Sequence, residues 1–152
     1  MLKNHRYDIL ARNGEMARRL RDFDTLPPSQ RNSMWLCLMH PEIREFSVDR
    51  ERVVREGIAH LRAARAAHPE DQALTDLIAE FTTRDEEFAR GWAERDIEVN
   101  GRGRTVMRPP DVGVITVDFE VLLPLQDPDQ RLVIYRAVDE ESRSAGDRLC
   151  AR

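Results

Sequence analysis

The chain has 152 residues, 41% of them hydrophobic and 34% charged, with a formal net charge of −4 at pH 7. One core fits that length and a second independent one does not. A net-negative chain is a poor neutraliser of phosphates, which disfavours direct DNA binding by this segment, and its longest apolar runs, Val112–Ile115 and Val121–Leu125, fall far short of the roughly 18–20 residues of a membrane span.

The opening Met1-Leu2-Lys3-Asn4-His5-Arg6 has no apolar stretch behind its charges, so it does not read as a secretory signal, and a cytoplasmic location is expected. Tyr7 to Asn13 reads as a short strand ended by the turn dipeptide Asn13-Gly14, after which Met16, Ala17 and Leu20 begin a helix. Pro27-Pro28 breaks that helix. Met34, Trp35, Leu38 and Met39 then mark a second one, stopped near His40-Pro41. Asp49 is placed to cap the longest helix, along which Val53, Val54, Gly57, Ile58 and Leu61 recur until His68-Pro69. Leu74, Leu77, Ile78 and Phe81 mark the next helix, and Thr83 with Glu86 has the spacing of a capping box that starts another, carrying Phe88 and Trp92.

After Asp96 the period changes from 3.6 to 2: Ile115, Val117, Phe119 and Val121 alternate with Thr116, Asp118 and Glu120. Turn signals separate Ile97–Asn100, Arg104–Arg108, Val114–Leu123 and Arg131–Ala137, a meander of about four strands to which the first strand can pair. Residues 140–152 are polar and patternless, and a frayed tail is expected there. Helices followed by an antiparallel meander define an α+β domain whose sheet buries one face under the helices, with room for a pocket where covering side chains do not fill the space.

Six strings carry a family resemblance: Tyr7-Asp8-Ile9-Leu10-Ala11-Arg12-Asn13, Arg31-Asn32-Ser33-Met34-Trp35, Pro41-Glu42-Ile43-Arg44, Glu87-Phe88-Ala89-Arg90-Gly91-Trp92, Val112-Gly113 and Arg131-Leu132-Val133-Ile134-Tyr135. In this order they resemble the MmyB-like regulator ligand-binding domain over residues 7–139. The resemblance implies a PAS-like antiparallel sheet covered on one face by several helices, a fatty-acid-like molecule as one associated ligand, and DNA contact only through a helix-turn-helix domain. No segment before Tyr7 is long enough for such a unit. Two positions depart from the family: Trp92-Ala93-Glu94-Arg95-Asp96 stands where Trp-x-x-His-Asp is common, and Pro109-Pro110 where His-Pro is. Any role of those histidines does not transfer.

Other chemistry is weaker. His5, His40, His60 and His68 have no carboxylate or cysteine at ligand spacing, so no metal site is expected, and no cofactor either. Asp85, Glu86 and Glu87 suit a helix start rather than a catalytic pair. Gly101-Arg102-Gly103-Arg104 lies between strands, not before a helix, and so is no phosphate loop. Ser29, His40 and Asp24 form a nucleophilic triad only on paper, because nothing places the hydroxyl on a strained elbow. Enzyme activity is disfavoured. Cys37 and Cys150 are expected to be reduced. Lys3 is the single lysine among 24 basic residues, which reads as the codon habit of a GC-rich genome.

The expected effector site uses the aromatic and cationic faces of two helices and the sheet: Arg31, Asn32, Trp35 and Met39; Phe88, Trp92 and Arg95; then Phe119 and Tyr135. Such aromatic sets are most often plain core. Guanidinium groups beside apolar faces favour an amphipathic acid, whose tail gains about 0.8 kcal/mol per buried methylene while an arginine fork holds its carboxylate. The rival reading is an interaction module, a homodimerisation domain with a pocket filled by its own side chains.

Overall fold

The structure is a computed structural model that describes residues 1–19, 23–94, 101–109 and 112–151. Its five-stranded sheet runs in the order β2-β1-β5-β4-β3, from β1 (Leu2–Lys3), β2 (Ile9–Ala11), β3 (Arg102–Met107), β4 (Ile115–Leu122) and β5 (Arg131–Ala137), with every pairing antiparallel. The α+β reading therefore holds. Alternation along β4 buries Ile115 and Val117 and leaves Asp118 exposed, so one face turns to the interior. The outer face carries ion pairs of Arg104 with Asp118 at 2.8 Å and Arg136 with Glu120 at 2.9 Å.

Six helices accompany the sheet among the described residues: α1 (Gly14–Arg19), α2 (Ser33–Met39), α3 (Arg50–Ala67), α4 (Gln72–Arg84), α5 (Glu86–Ala93) and α6 (Glu140–Ala151). Short polar side chains fix their starts. Asn32 accepts from the amides of Met34 and Trp35, Asp71 from Leu74 and Asp85 from Phe88, each within 3.0 Å, which satisfies donors that a helix leaves open. The interior divides in two. Leu38, Leu61, Leu74, Phe81 and Phe88 anchor a closed helical core, and Val112, Ile115, Val117 and Ala145 form a smaller one between sheet and α6.

Four local expectations change. The strand read over residues 7–13 is the edge strand β2, paired with β1, and β1 takes the place beside β5. Thr83 lies inside α4, its hydroxyl bonded to the Ala79 carbonyl, and Asp85 caps α5 instead. Asp49 precedes α3 without capping it; its carboxylate pairs with Arg52 at 2.6 Å. Residues 140–151 are not a frayed tail but α6, started by Asp139 accepting from the Ser142 amide at 2.7 Å. Its buried face is Ser142, Ala145 and Gly146, residues too small to give a hydropathy stripe, and Ser142 also accepts from the Thr116 amide of β4. The strand expected at Ile97–Asn100 lies outside the described residues.

Candidate functional site: a cavity between sheet and helices

Between the two cores the sheet and helices do not close, leaving a cavity of about 310 Å³. Its walls are mainly apolar, with Ile9, Met16, Met34, Val53, Phe119 and Tyr135 contributed by strands and helices from both ends of the chain. Phe119 and Tyr135 face each other across β4 and β5. Gly103 sits opposite Phe119 on β3, and a Cβ there would lie 3.0 Å from the ring. The missing side chain is what lets Phe119 lie along the wall. Gly57 of α3 similarly leaves room for the Met34 thioether, 2.5 Å from where a Cβ would stand.

Three cationic side chains reach this mainly apolar space: Arg52, paired at 3.0 Å with Glu56 of the same lining, and Lys3 and Arg131. Lys3 on β1 and Arg131 on β5 are register partners, so both side chains project to the same face, and neither has a carboxylate ion pair among the described residues. Like charges directly opposite on neighbouring strands oppose pairing. Lys3 is 7% exposed, and burial together with the Arg131 charge lowers its pKa to about 7. Its ammonium lies 4.5 Å from the centre of the Tyr7 ring, and Arg131 lies 5.9 Å from the same ring. Burial raises the Tyr7 hydroxyl to about 12 against the pull of Arg131. It likewise lowers His60 to about 3, so His60 is neutral and its Nε2 donates to the His5 carbonyl at 3.0 Å.

Tyr7 has φ of 72°, a left-handed conformation that costs a bulky residue about 1–3 kcal/mol. Hydrogen bonds hold it there. Its amide donates to the Asn4 carbonyl and its carbonyl accepts from the Ser33 amide, at 3.0 and 2.9 Å. The Ser47 hydroxyl, also in the lining, is buried with no hydrogen-bond partner among the described residues. The cavity thus joins apolar walls with polar groups that want a partner.

Of the residues expected from sequence, Phe119 and Tyr135 line this cavity. The helical ones are elsewhere. Asn32 is fully buried and occupied, capping α2 while its amide donates to the Arg6 carbonyl and the Asp8 carboxylate. Arg31 donates to the Leu26 and Asp24 carbonyls, holding the loop before α2. Trp35, Met39, Phe88 and Trp92 belong to the helical core or its edge, and Arg95 lies outside the described residues. Sequence reasoning missed Lys3, Tyr7 and Arg131. Being the only lysine was the one signal Lys3 offered.

The sequence pattern of the MmyB-like transcription regulator ligand binding domain matches residues 1–149. The chain belongs to that family. The match takes in both β1, which carries Lys3, and most of α6. The family is one of regulator domains rather than enzymes. A search of curated proteins finds no match to this chain. No helix among the described residues of this MmyB-like domain is long and apolar enough to cross a membrane.

Proposed function

We propose that this ligand-binding domain senses an amphipathic acid, a fatty-acid-like molecule whose tail occupies the cavity and whose carboxylate meets Lys3 and Arg131, and that occupancy is passed to a helix-turn-helix partner domain. The observation that carries this reading is the facing pair of cations, Lys3 buried and Arg131 half-buried, neither of them in an ion pair among the described residues, while Glu56 of the cavity lining is taken by Arg52. A ligand anion removes that repulsion and restores the charge balance. The rival homodimerisation module requires a pocket filled by its own side chains, and an open volume of about 310 Å³ favours the sensor. That volume is at the small end of ligand pockets.

Thermal melts of delipidated protein test the reading. Saturated acids of about 10 to 18 carbons raise the melting temperature, by the equivalent of about 2.7 kcal/mol at a hundredfold excess over Kd, and the methyl esters do so less. Lys3→Met and Arg131→Met each narrow the gap between acid and ester. A melting temperature that no acid moves refutes the sensor of acids; equal shifts for acid and ester place the head group away from the cations.

A further inference from the structure

His5, His68 and Asp129 are brought together from three distant parts of the chain: the turn between β1 and β2, the residue closing α3, and the loop between β4 and β5. One ligand atom of each lies within 4.8 Å of the others. The two imidazoles are 4.3 Å apart, centre to centre, and His68 Nε2 is 2.7 Å from Asp129 Oδ1. We propose that these three side chains form a binding site for a divalent transition metal ion, with Asp71 holding His5 in place.

Two imidazoles and one carboxylate are the donor set of zinc and nickel rather than of calcium or magnesium, which take oxygen ligands. Metal–ligand bonds of about 2.0–2.2 Å at a tetrahedral angle separate ligand atoms by about 3.3 Å. The 2.7 Å contact opens slightly and the wider separations close, movements available to an exposed loop and a hairpin turn. Asp71 accepts from Nε2 of His5 at 2.7 Å and leaves Nδ1 to the ion, the outer contact that orients metal-bound histidines. Arg6 is the nearby cation, and its charge is taken by Asp71 and Asp8, both at 3.1 Å, which keeps Asp129 for the metal.

The supporting backbone is fixed on the helical side. The His68 amide donates to the Ala64 carbonyl and Asp71 caps α4. The His5 carbonyl is held by His60. An ion here ties the N-terminal turn to the helices, and that turn lies between Lys3 and Tyr7 of the cavity. The metal site is nonetheless separate from the cavity and stands whether or not an acid binds there.

The test is titration of chelator-treated protein with zinc chloride by calorimetry, repeated with cobalt(II) to read ligand-field absorption. One ion binds per chain, and its affinity falls at least about tenfold in Asp129→Ala, a loop residue outside both cores. His68→Ala gives a similar loss, while His40→Ala and Cys150→Ser change nothing. Amide exchange at Asn4 and Tyr7 slows on zinc loading. Absence of zinc binding at millimolar metal overturns the proposal, and so does binding that Asp129→Ala leaves intact.

Discussion

The aromatic side chains of the helices close on one another, whereas those of the sheet border the cavity, Tyr135 with one side against the smaller core. Phe81 and Phe88 are fully buried edge to face, with ring centres 5.3 Å apart, and Trp92 stacks on Phe88 at 5.8 Å. Arg62 seals the outer side, its guanidinium 5.0 Å from the Trp92 ring and bonded to the Trp92 carbonyl. Among the described residues Phe119 and Tyr135 have no such ring or cation partners, and they border the cavity instead. Aromatic content at helical spacing therefore marks packing in this protein, and the aromatic pair facing each other across β4 and β5 marks the cavity wall. The difference follows from geometry: helices slide until their ridges interlock, but a sheet held by its own ladder cannot bend to fill a gap.

The largest effect that sharpens this contrast is expected at Phe88. Phe88→Ala removes a ring with no solvent contact and should cost about 3–5 kcal/mol of stability in urea unfolding. Trp92→Ala should cost less, since Trp92 is only partly buried at the edge of the same cluster. Phe119→Ala, by contrast, enlarges an existing space and should cost the fold less than Phe88→Ala while weakening ligand binding. If Phe119→Ala proves as destabilising as Phe88→Ala, the sheet wall is packed core after all.

The same contrast explains what the sequence made legible. Order and type of most helices followed from periodicity, because their buried faces are large aliphatic and aromatic residues such as Leu61, Leu74 and Phe81. α6 was hidden because its buried face is small residues. β1 was hidden because two residues give no period, and with it went Lys3. The cavity cations could not be read from spacing, since Lys3 and Arg131 become neighbours only through the pairing of the first strand with the last. The His5, His68 and Asp129 cluster was illegible for the same reason: the nearest two are 61 positions apart.

Charge gives the next effect in size. Lys3 has a folded pKa of about 7 against 10.5 when unfolded. Below pH 7 both states are protonated and the folded one bears the full cost of the buried cation. Between 7 and 10.5 the unfolded chain binds more protons, so ligand-free stability rises with pH. Tyr7 and Tyr135, raised to about 12, act in the opposite sense above pH 10, so the rise is read below that. Lys3→Met should flatten it and stabilise the ligand-free protein at neutral pH by more than about 1 kcal/mol. A wild-type profile already flat from pH 7 to about 9.5 would mean that Lys3 is compensated without ligand.

The smallest effect on stability is expected at Gly103, where the consequence for binding is sharpest. An alanine there loses less chain entropy on folding than glycine, a gain of about 0.5–1 kcal/mol in a strand. Its Cβ would also stand 3.0 Å from Cε1 and Cζ of Phe119, tighter than the ring tolerates without moving. Overpacking that cannot relax costs about 1–3 kcal/mol. Here the ring has the cavity to move into, so the two terms nearly cancel and the melting temperature should change little. The displaced ring takes volume from the tail end of the site. Gly103→Ala should therefore shift preference toward shorter acids, with the longest chains losing most affinity and the carboxylate contribution unchanged, as the acid and ester pair reads it in calorimetry. A uniform loss across chain lengths would mean that Phe119 does not bound the tail, and a large drop in melting temperature would mean that the space beside it is already filled.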